Sequence, residues 1–135
     1  MTVAFADTFY YLALLSKTDA AHPRAVELAR SRRLRTVTTD WVLTEIGDAL
    51  ANPADRVRFA PLVEKLRSSP FVTIVPFSAE LFDRGIALYS ERRDKDWSLT
   101  DCISFVVMQE HGLTDALTGD RHFEQAGFRW LLADG

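Results

Sequence analysis

The sequence predicts an α/β fold in which a parallel β-sheet is covered by helices on both faces. Short apolar or β-branched runs alternate with longer amphipathic segments along the chain, which is the pattern of repeated strand–helix–strand units. A second observation is the almost wholly apolar run Cys102–Met108. A helix with apolar residues all around it lies inside a protein, so this run predicts a buried helix at the centre of the fold.

Composition limits the classes of protein to which the chain can belong. It has 135 residues, 47% hydrophobic and 26% charged, so we expect one globular domain over residues 1–135. The formal net charge of −3 argues against nucleic-acid binding through overall positive charge, but it allows a local basic patch. No apolar run could span a bilayer, and the first residues do not resemble a signal peptide. The single cysteine, Cys102, cannot form an internal disulfide, which favours a cytoplasmic location.

In the first half of the chain, the apolar run Val3–Ala6 predicts a buried strand that ends at Asp7. Apolar residues at helical spacing indicate the helices that follow, and Asn52-Pro53 separates the last two of them. The expected elements are a helix over Phe9–Leu15, a helix over roughly His22–Arg33, a strand over Thr36–Thr39, a helix over Asp40–Ala51 and a helix over Ala54–Arg67.

The second half contains the clearest strand, Phe71–Val75, which is rich in β-branched residues and lies between two prolines. Ser78 is a good cap for the next amphipathic helix, and Gly112 is a good stop for the buried one. The expected elements are a helix over Ala79–Glu91, a charged loop over Arg92–Lys95, the buried helix ending near His111, a strand over Ala116–Thr118, a brief helix and a final strand over Phe128–Leu132.

Ser98 and Asp101 have the spacing of a capping box at the start of the buried helix. Asp101 enters the interior with this helix, so its carboxylate needs a hydrogen-bond donor, a cation or a proton. Parallel sheets bind ligands at the carboxyl ends of their strands, where the strand order reverses. Asp7 and Asp120 follow predicted strands, and Glu45 lies one turn into a helix that follows a strand. We therefore expect four carboxylates to converge at one edge of the sheet.

A group of carboxylates suits a hard divalent cation such as Mg²⁺ or Mn²⁺, because burying several of them without a counter-charge is costly. One or two such ions can activate water and stabilise the leaving oxygen when a phosphodiester is cleaved. The hydroxyls of Thr8, Thr100 and Thr118 are suited to orienting these carboxylates or a water molecule. The residues thus favour a metal-dependent phosphodiesterase.

Four segments, in order along the chain, carry a family resemblance: Phe5–Thr8, Glu45 in an early helix, Trp97–Phe105 and Leu117–Phe128. They resemble the PIN-domain ribonucleases, and most closely the VapC-type toxins of toxin–antitoxin pairs. The resemblance implies a three-layer α/β/α sandwich with a central, mainly parallel sheet. It implies a Mg²⁺- or Mn²⁺-dependent endoribonuclease in which metal-activated water cuts RNA to leave 5′-phosphate and 3′-hydroxyl ends. It also implies an antitoxin protein as partner, and a homodimer.

By motif position, the resemblance assigns a catalytic metal site to Asp7, Glu45, Asp101 and Asp120, supported by the polar residues Thr8 and Thr118. Many relatives have an Asn one helical turn after the Glu, where this chain has Asp48. Candidate RNA-binding residues are the cations near the expected site, Arg92, Arg93, Lys95 and Arg121.

Other residues have plainer explanations. We expect His122 to pack against Phe123 or to bond backbone, rather than to contact metal or phosphate. Cys102 is expected in the core, and Asp96 and Asp115 on loops or the surface. The basic residues of the first half are expected to be solvated; they are Arg30, Arg32, Arg33 and Arg35.

Two other functions stay open. One is a catalytically silent PIN-like module that binds RNA or protein. The other is a phosphatase in which Asp7 forms an aspartyl-phosphate, although that chemistry commonly has a second Asp two residues later, where this chain has Phe9.

Overall fold

The computed structural model describes residues 1–133, which form a five-stranded sheet with seven helices packed around it. Residues 134–135 of the expected domain lie outside the described residues. The five strands are Thr2–Ala6 (β1), Leu34–Thr39 (β2), Val72–Val75 (β3), Asp115–Leu117 (β4) and Arg129–Trp130 (β5). The strand order is β3-β2-β1-β4-β5, and every pairing is parallel. The predicted α/β fold with a central parallel sheet is therefore confirmed.

The strand order reverses at β1, which lies at the centre of the sheet. Phe5 pairs with Val37 of β2 on one side and with Ala116 of β4 on the other. The side chains of Ala4, Phe5 and Ala6 are fully buried, as expected for a strand covered on both faces. The reversal leaves a crevice above the carboxyl ends of β1 and β4, where ligands bind in sheets of this kind.

Apart from the fourth, the seven helices begin close to where the sequence predicts them. They are Thr8–Leu15 (α1), His22–Ala29 (α2), Asp40–Ala49 (α3), Phe59–Ser68 (α4), Ala79–Glu91 (α5), Leu99–Glu110 (α6) and Arg121–Gln125 (α7). The side chain of Thr39 caps α3 by accepting from the amide of Val42, and Ser78 caps α5 by accepting from the amide of Leu81. None of the helices within residues 1–133 is long and apolar enough to cross a membrane.

The predicted boundaries of some elements are wrong. The helix expected from Ala54 begins only at Phe59, after a 3-10 turn, because Oδ1 of Asn52 accepts hydrogen bonds from the amides of Ala54 and Asp55 at 3.1 Å and closes a turn first. Helix α2 ends at Ala29 instead of Arg33. Helix α3 ends two residues before the predicted position, and β5 is only two residues long.

Helix α6 is the buried centre of the fold, as predicted. Its capping box is complete, with Oγ of Ser98 accepting from the amide of Asp101 and Oδ2 of Asp101 accepting from the amide of Ser98. Every residue from Asp101 to Met108 is buried. Helix α5 approaches it at Gly85, where an added Cβ would lie 2.3 Å from Cγ1 of Ile103. Asp101 thus lies in the first turn of a helix that is closely packed inside the fold.

Candidate metal centre

A depression of about 570 Å³ opens at the carboxyl edge of the sheet, beside the ends of β1 and β4. We call it the acidic depression. Its lining includes all four carboxylates predicted from the sequence, Asp7, Glu45, Asp101 and Asp120, together with Thr8, Phe9, Ser98, Gly119, Arg121 and His122. Each carboxylate comes from a different part of the chain, so the fold brings together what the sequence separates.

Asp7 follows β1 and occupies the N-cap position of α1, but its side chain makes no capping hydrogen bond. Its Oδ2 instead accepts from Oγ1 of Thr118 at 2.9 Å, and the same oxygen of Thr118 accepts from the amide of Asp120 at 3.0 Å. Burial raises the pKa of Asp7 to about 7, the negative charge of Asp101 adds to the rise, and the bond from Thr118 opposes it. One buried hydroxyl therefore links two of the four acidic segments.

Glu45 projects from α3 and is half-buried. Its Oε1 accepts a hydrogen bond from Oγ1 of Thr8, the first residue of α1. Burial raises the pKa of Glu45, bonds from Thr8 and Thr100 lower it, and the charges of Asp101 and Asp120 raise it further. The two threonines thus orient Glu45 toward the other acids without neutralising it.

His122 belongs to this cluster, and the prediction that it packs or bonds backbone is wrong. Its Nδ1 lies 2.9 Å from Oδ2 of Asp101 and 3.4 Å from Oδ1 of Asp120. Asp120 is the N-cap of α7, and its Oδ1 accepts from the amide of His122 at 2.9 Å. The sequence did contain a signal for this contact, because Asp120 and His122 are two residues apart at the start of one helix and can face the same site. The partner, Asp101, is set by tertiary packing.

The donor set fits a divalent cation. One ligand atom from each of Asp101, Asp120 and His122 lies within 4.8 Å of the others. Burial raises the pKa of Asp101, and the bond from His122 only partly opposes this. With the raised pKa values of Asp7 and Glu45, the cluster contains more negative charge than its own hydroxyls and imidazole offset. A hard cation with oxygen ligands would offset that excess.

Other predicted acids lie elsewhere. Asp48 lines an apolar groove of about 970 Å³ between α3 and α4, so its position one turn after Glu45 does not bring it into the acidic depression. Asp115 begins β4 at the amino edge of the sheet, where Oδ1 accepts from Nε of Arg129 at 2.9 Å. Asp96 lines a neighbouring depression. Neither Asp96 nor Asp115 is among the residues that line the acidic depression.

The four predicted RNA-binding cations differ in their surroundings. Arg121 lines the acidic depression itself. Arg92 is already engaged, because its guanidinium lies over the ring of Trp97 at 5.0 Å and donates two hydrogen bonds to Asp94. Arg93 and Lys95 line the neighbouring depression, next to the acidic one.

Comparison with known families agrees with this geometry. The family description "PIN domain" matches residues 4–129 of the chain. The chain belongs to the PIN-domain family. It is 30% identical over 124 residues to the 23S rRNA-specific endonuclease VapC20 of Mycobacterium tuberculosis, a match that covers 92% of this chain and 94% of VapC20. The resemblance to PIN domains and to VapC-type toxins, predicted from four short segments, is confirmed.

Solved structures show the same PIN fold. The crystal structure of Mycobacterium tuberculosis VapC20, described as a sarcin-ricin loop cleaving toxin, matches with a TM-score of 0.83 and 28% identity, over 94% of this chain and 96% of that one. VapBC2 from Rickettsia felis, bound to a DNA fragment from its promoter, matches with a TM-score of 0.67 over 96% of this chain and 97% of that one. At 14% identity, the second match supports the fold alone.

Proposed function

We propose that this PIN domain is a metal-dependent endoribonuclease, active as one domain over residues 1–135, and the toxin of a toxin–antitoxin pair. The observation that carries the proposal is the meeting of four carboxylates from four segments in one depression, three of them with raised pKa values. The similarity of the chain to the 23S rRNA-specific endonuclease VapC20 supports RNA as the substrate.

Asp7, Glu45, Asp101 and Asp120 would hold Mg²⁺ or Mn²⁺, either directly or through water. When bound, the ion would stabilise charge on the phosphodiester and activate water, leaving 5′-phosphate and 3′-hydroxyl ends. Thr118 holds Asp7 at the site through its hydroxyl, and Thr8 does the same for Glu45.

His122 and Ser98 position Asp101. The ring of His122 bonds one carboxylate oxygen of Asp101, and the capping box with Ser98 holds the carboxylate at the mouth of α6. This arrangement restricts the rotation of the carboxylate, which keeps the ligand geometry ready before a substrate arrives. No serine or cysteine nucleophile takes part, and Cys102 is buried in the core.

The toxin role requires an antitoxin partner and an RNA target in the cytoplasm. The similarity to VapC20, whose crystal structure is described as that of a toxin, supports this role. Expression of the wild-type chain in bacteria should stop growth, whereas Asp101→Asn should be harmless. Continued growth with the wild type at a level at which VapC20 is toxic would contradict the toxin role.

A homodimer formed through apolar helical surfaces is part of the same proposal. Phe77, which is 57% exposed, lines an apolar groove between α3 and α4 together with Leu43 and Val63. Exposed apolar surfaces of this kind commonly mark protein interfaces. Light scattering should give twice the chain mass for the wild type and a lower mass for Phe77→Glu.

The test of the enzyme is cleavage of RNA by purified protein with Mg²⁺, Mn²⁺ or EDTA. We expect cleavage with a divalent ion, none with EDTA, and a loss of at least about a hundredfold in Asp7→Asn and Asp101→Asn, because both change proposed ligands. Asp115→Asn, which changes an acid at the opposite edge of the sheet, is the matched control and should cleave normally.

Cleavage that persists in EDTA, or full activity in both ligand variants, would overturn the mechanism. A trapped phosphoryl group on Asp7 would favour a phosphatase. RNA binding without cleavage by the wild type, with 23S rRNA fragments included among the substrates, would favour a silent binding module.

A further inference from the structure

A second depression, of about 1010 Å³, adjoins the acidic one, and Ser98 lines both. Its lining comes from the end of α5, the loop over residues 92–98 and the start of α6. We call it the basic depression, because Arg92, Arg93 and Lys95 line it against the single carboxylate of Asp96. The change from acidic to basic lining therefore occurs at the N-terminus of α6.

The cations of the basic depression are not equivalent. Asp94 and the face of Trp97 hold Arg92, so this residue fixes the loop and covers the indole. Among residues 1–133, Arg93 and Lys95 form no ion pair with any carboxylate. Unpaired cations beside a site for a phosphodiester are suited to its flanking phosphates.

The aromatic residues of the basic depression also differ. Trp97 is only 6% exposed, its indole nitrogen donates to Gln125 at 3.0 Å, and its ring packs edge-on against Phe105. It is therefore part of the core. Tyr89, at the end of α5, is 53% exposed. An exposed ring next to free cations is the arrangement that holds unpaired nucleotides, with a base on the ring and phosphates on the cations.

We propose that the basic depression is a subsite for an unpaired stretch of RNA beside the cleaved phosphodiester, with a base stacked on Tyr89 and phosphates bound by Arg93 and Lys95. This inference rests on the proposed endoribonuclease function and assigns the residues that would bind the RNA on this side of the cut. The continuity through Ser98 and the complementary charge carry it.

The electrostatic part is tested by RNA binding in an Asp7→Asn background with Mg²⁺, using a labelled single-stranded RNA of about 12 nucleotides and fluorescence anisotropy. Arg93→Ala with Lys95→Ala should raise Kd about tenfold and reduce the slope of log Kd against log salt by about 1.4, at ~0.7 for each lost phosphate contact. The matched control, Arg32→Ala with Arg33→Ala, makes the same change in net charge at the amino edge of the sheet and should change Kd less than about twofold.

The stacking part is tested with Tyr89→Ala and Tyr89→Phe. Tyr89→Ala should raise Kd for the single strand about tenfold and leave binding to a duplex of the same sequence unchanged, whereas Tyr89→Phe keeps the ring and should bind normally. In the cleaving protein, Tyr89→Ala and the double variant of Arg93 and Lys95 should raise KM with kcat retained, whereas Tyr89→Phe should leave both unchanged. Thermal unfolding of each variant checks that it is folded.

Equal weakening by both double variants would show a long-range charge effect and overturn the phosphate contacts. Duplex binding that responds to Tyr89→Ala like single-strand binding would overturn the stacking. If Tyr89→Ala and the double variant of Arg93 and Lys95 cleave with a normal KM, the subsite is overturned and the nuclease is not. If RNA binding depends on these three residues but the wild type does not cleave, the nuclease is overturned and the RNA-binding surface is not. A wild type that neither binds nor cleaves RNA would overturn both proposals.

Discussion

Replacing Asp7 with Asn should make the metal-free protein more stable while abolishing cleavage. Asp7 is 4% exposed, and its only side-chain hydrogen-bond donor is the hydroxyl of Thr118 within the part of the chain that the structure describes. Burial and the nearby charge of Asp101 raise its pKa from 3.8 to about 7. The charged form is therefore costly in the fold, and Asn removes the charge while keeping an acceptor oxygen for Thr118.

The magnitude and the pH window follow from proton linkage. A rise of about 3 pKa units corresponds to an upper limit of ~4 kcal/mol for the cost of charged Asp7, at ~1.4 kcal/mol per unit. Between about pH 4 and pH 7 the folded state binds more protons than the unfolded state, so stability falls as pH rises through this window and levels off above it. The side-chain NH₂ of Asn needs hydrogen-bond partners of its own, which reduces the gain. We therefore expect the free energy of unfolding of Asp7→Asn to exceed that of the wild type by ~2 kcal/mol at about pH 8.

Urea unfolding of both proteins in EDTA, from about pH 4 to pH 8, measures this effect. The wild type should lose stability as pH rises, and Asp7→Asn should flatten the curve, leaving the smaller contributions of Glu45 and Asp101. Added Mg²⁺ should stabilise the wild type at pH 8 more than the variant. The exposed acid Asp83 on α5 is the control, and Asp83→Asn should leave the pH dependence unchanged.

Two results would refute this reasoning. A lower unfolding free energy for Asp7→Asn at pH 8 in EDTA would mean that the charged carboxylate is stabilised by groups other than a bound cation. A wild-type curve that is flat between pH 4 and pH 8 would mean that neither burial nor repulsion between the acids raises their pKa values in the folded protein. Either outcome would remove the physical reason for a metal centre.

Three further substitutions test the site from other directions. Thr118→Val should lower the free energy of unfolding by ~1–3 kcal/mol in urea titrations at pH 8, because it removes the side-chain donor to the buried carboxylate of Asp7. Gly119→Ala should slow cleavage by ~10–100-fold in single-turnover assays, because a Cβ at this position would lie 2.5 Å from Cζ of Phe9 and would shift the loop that carries the next acid. Asp96→Asn should tighten single-stranded RNA binding about threefold in anisotropy titrations at low salt, since it removes the one carboxylate that lines the basic depression.

The sequence predicts the elements best where side chains act locally. The bounds of α5 match the prediction, since Ser78 caps it and a regular apolar stripe follows. The capping box at Ser98 and Asp101 is found as predicted for the same reason. The start of α4 was missed because Asn52 bonds two amides ahead of it and closes a turn that its residue types alone do not show.

The sequence predicts the four acids of the site but not the contact that His122 makes with one of them. Asp7 and Asp120 follow strands that pair next to one another, so general rules for parallel sheets place them at one edge. His122 contacts Asp101 across 21 residues of sequence, through the orientation of α7 against α6. The engagement of Arg92 by Trp97 is likewise a product of loop folding. Contacts of this kind depend on how elements pack, which spacing along the chain does not encode.

Because the two depressions differ in charge, the binding of RNA phosphates should depend on a cation in the acidic depression but not in the basic one. The acidic depression contains four carboxylates and would repel a phosphodiester, whereas the basic depression attracts phosphates by itself. RNA should therefore remain weakly bound in EDTA through Arg93 and Lys95, and the phosphodiester to be cut should enter the acidic depression only once a cation offsets its charge. The buried helix α6 fixes the boundary between the two depressions, because its first turn carries Asp101 and its N-cap, Ser98, lines both of them.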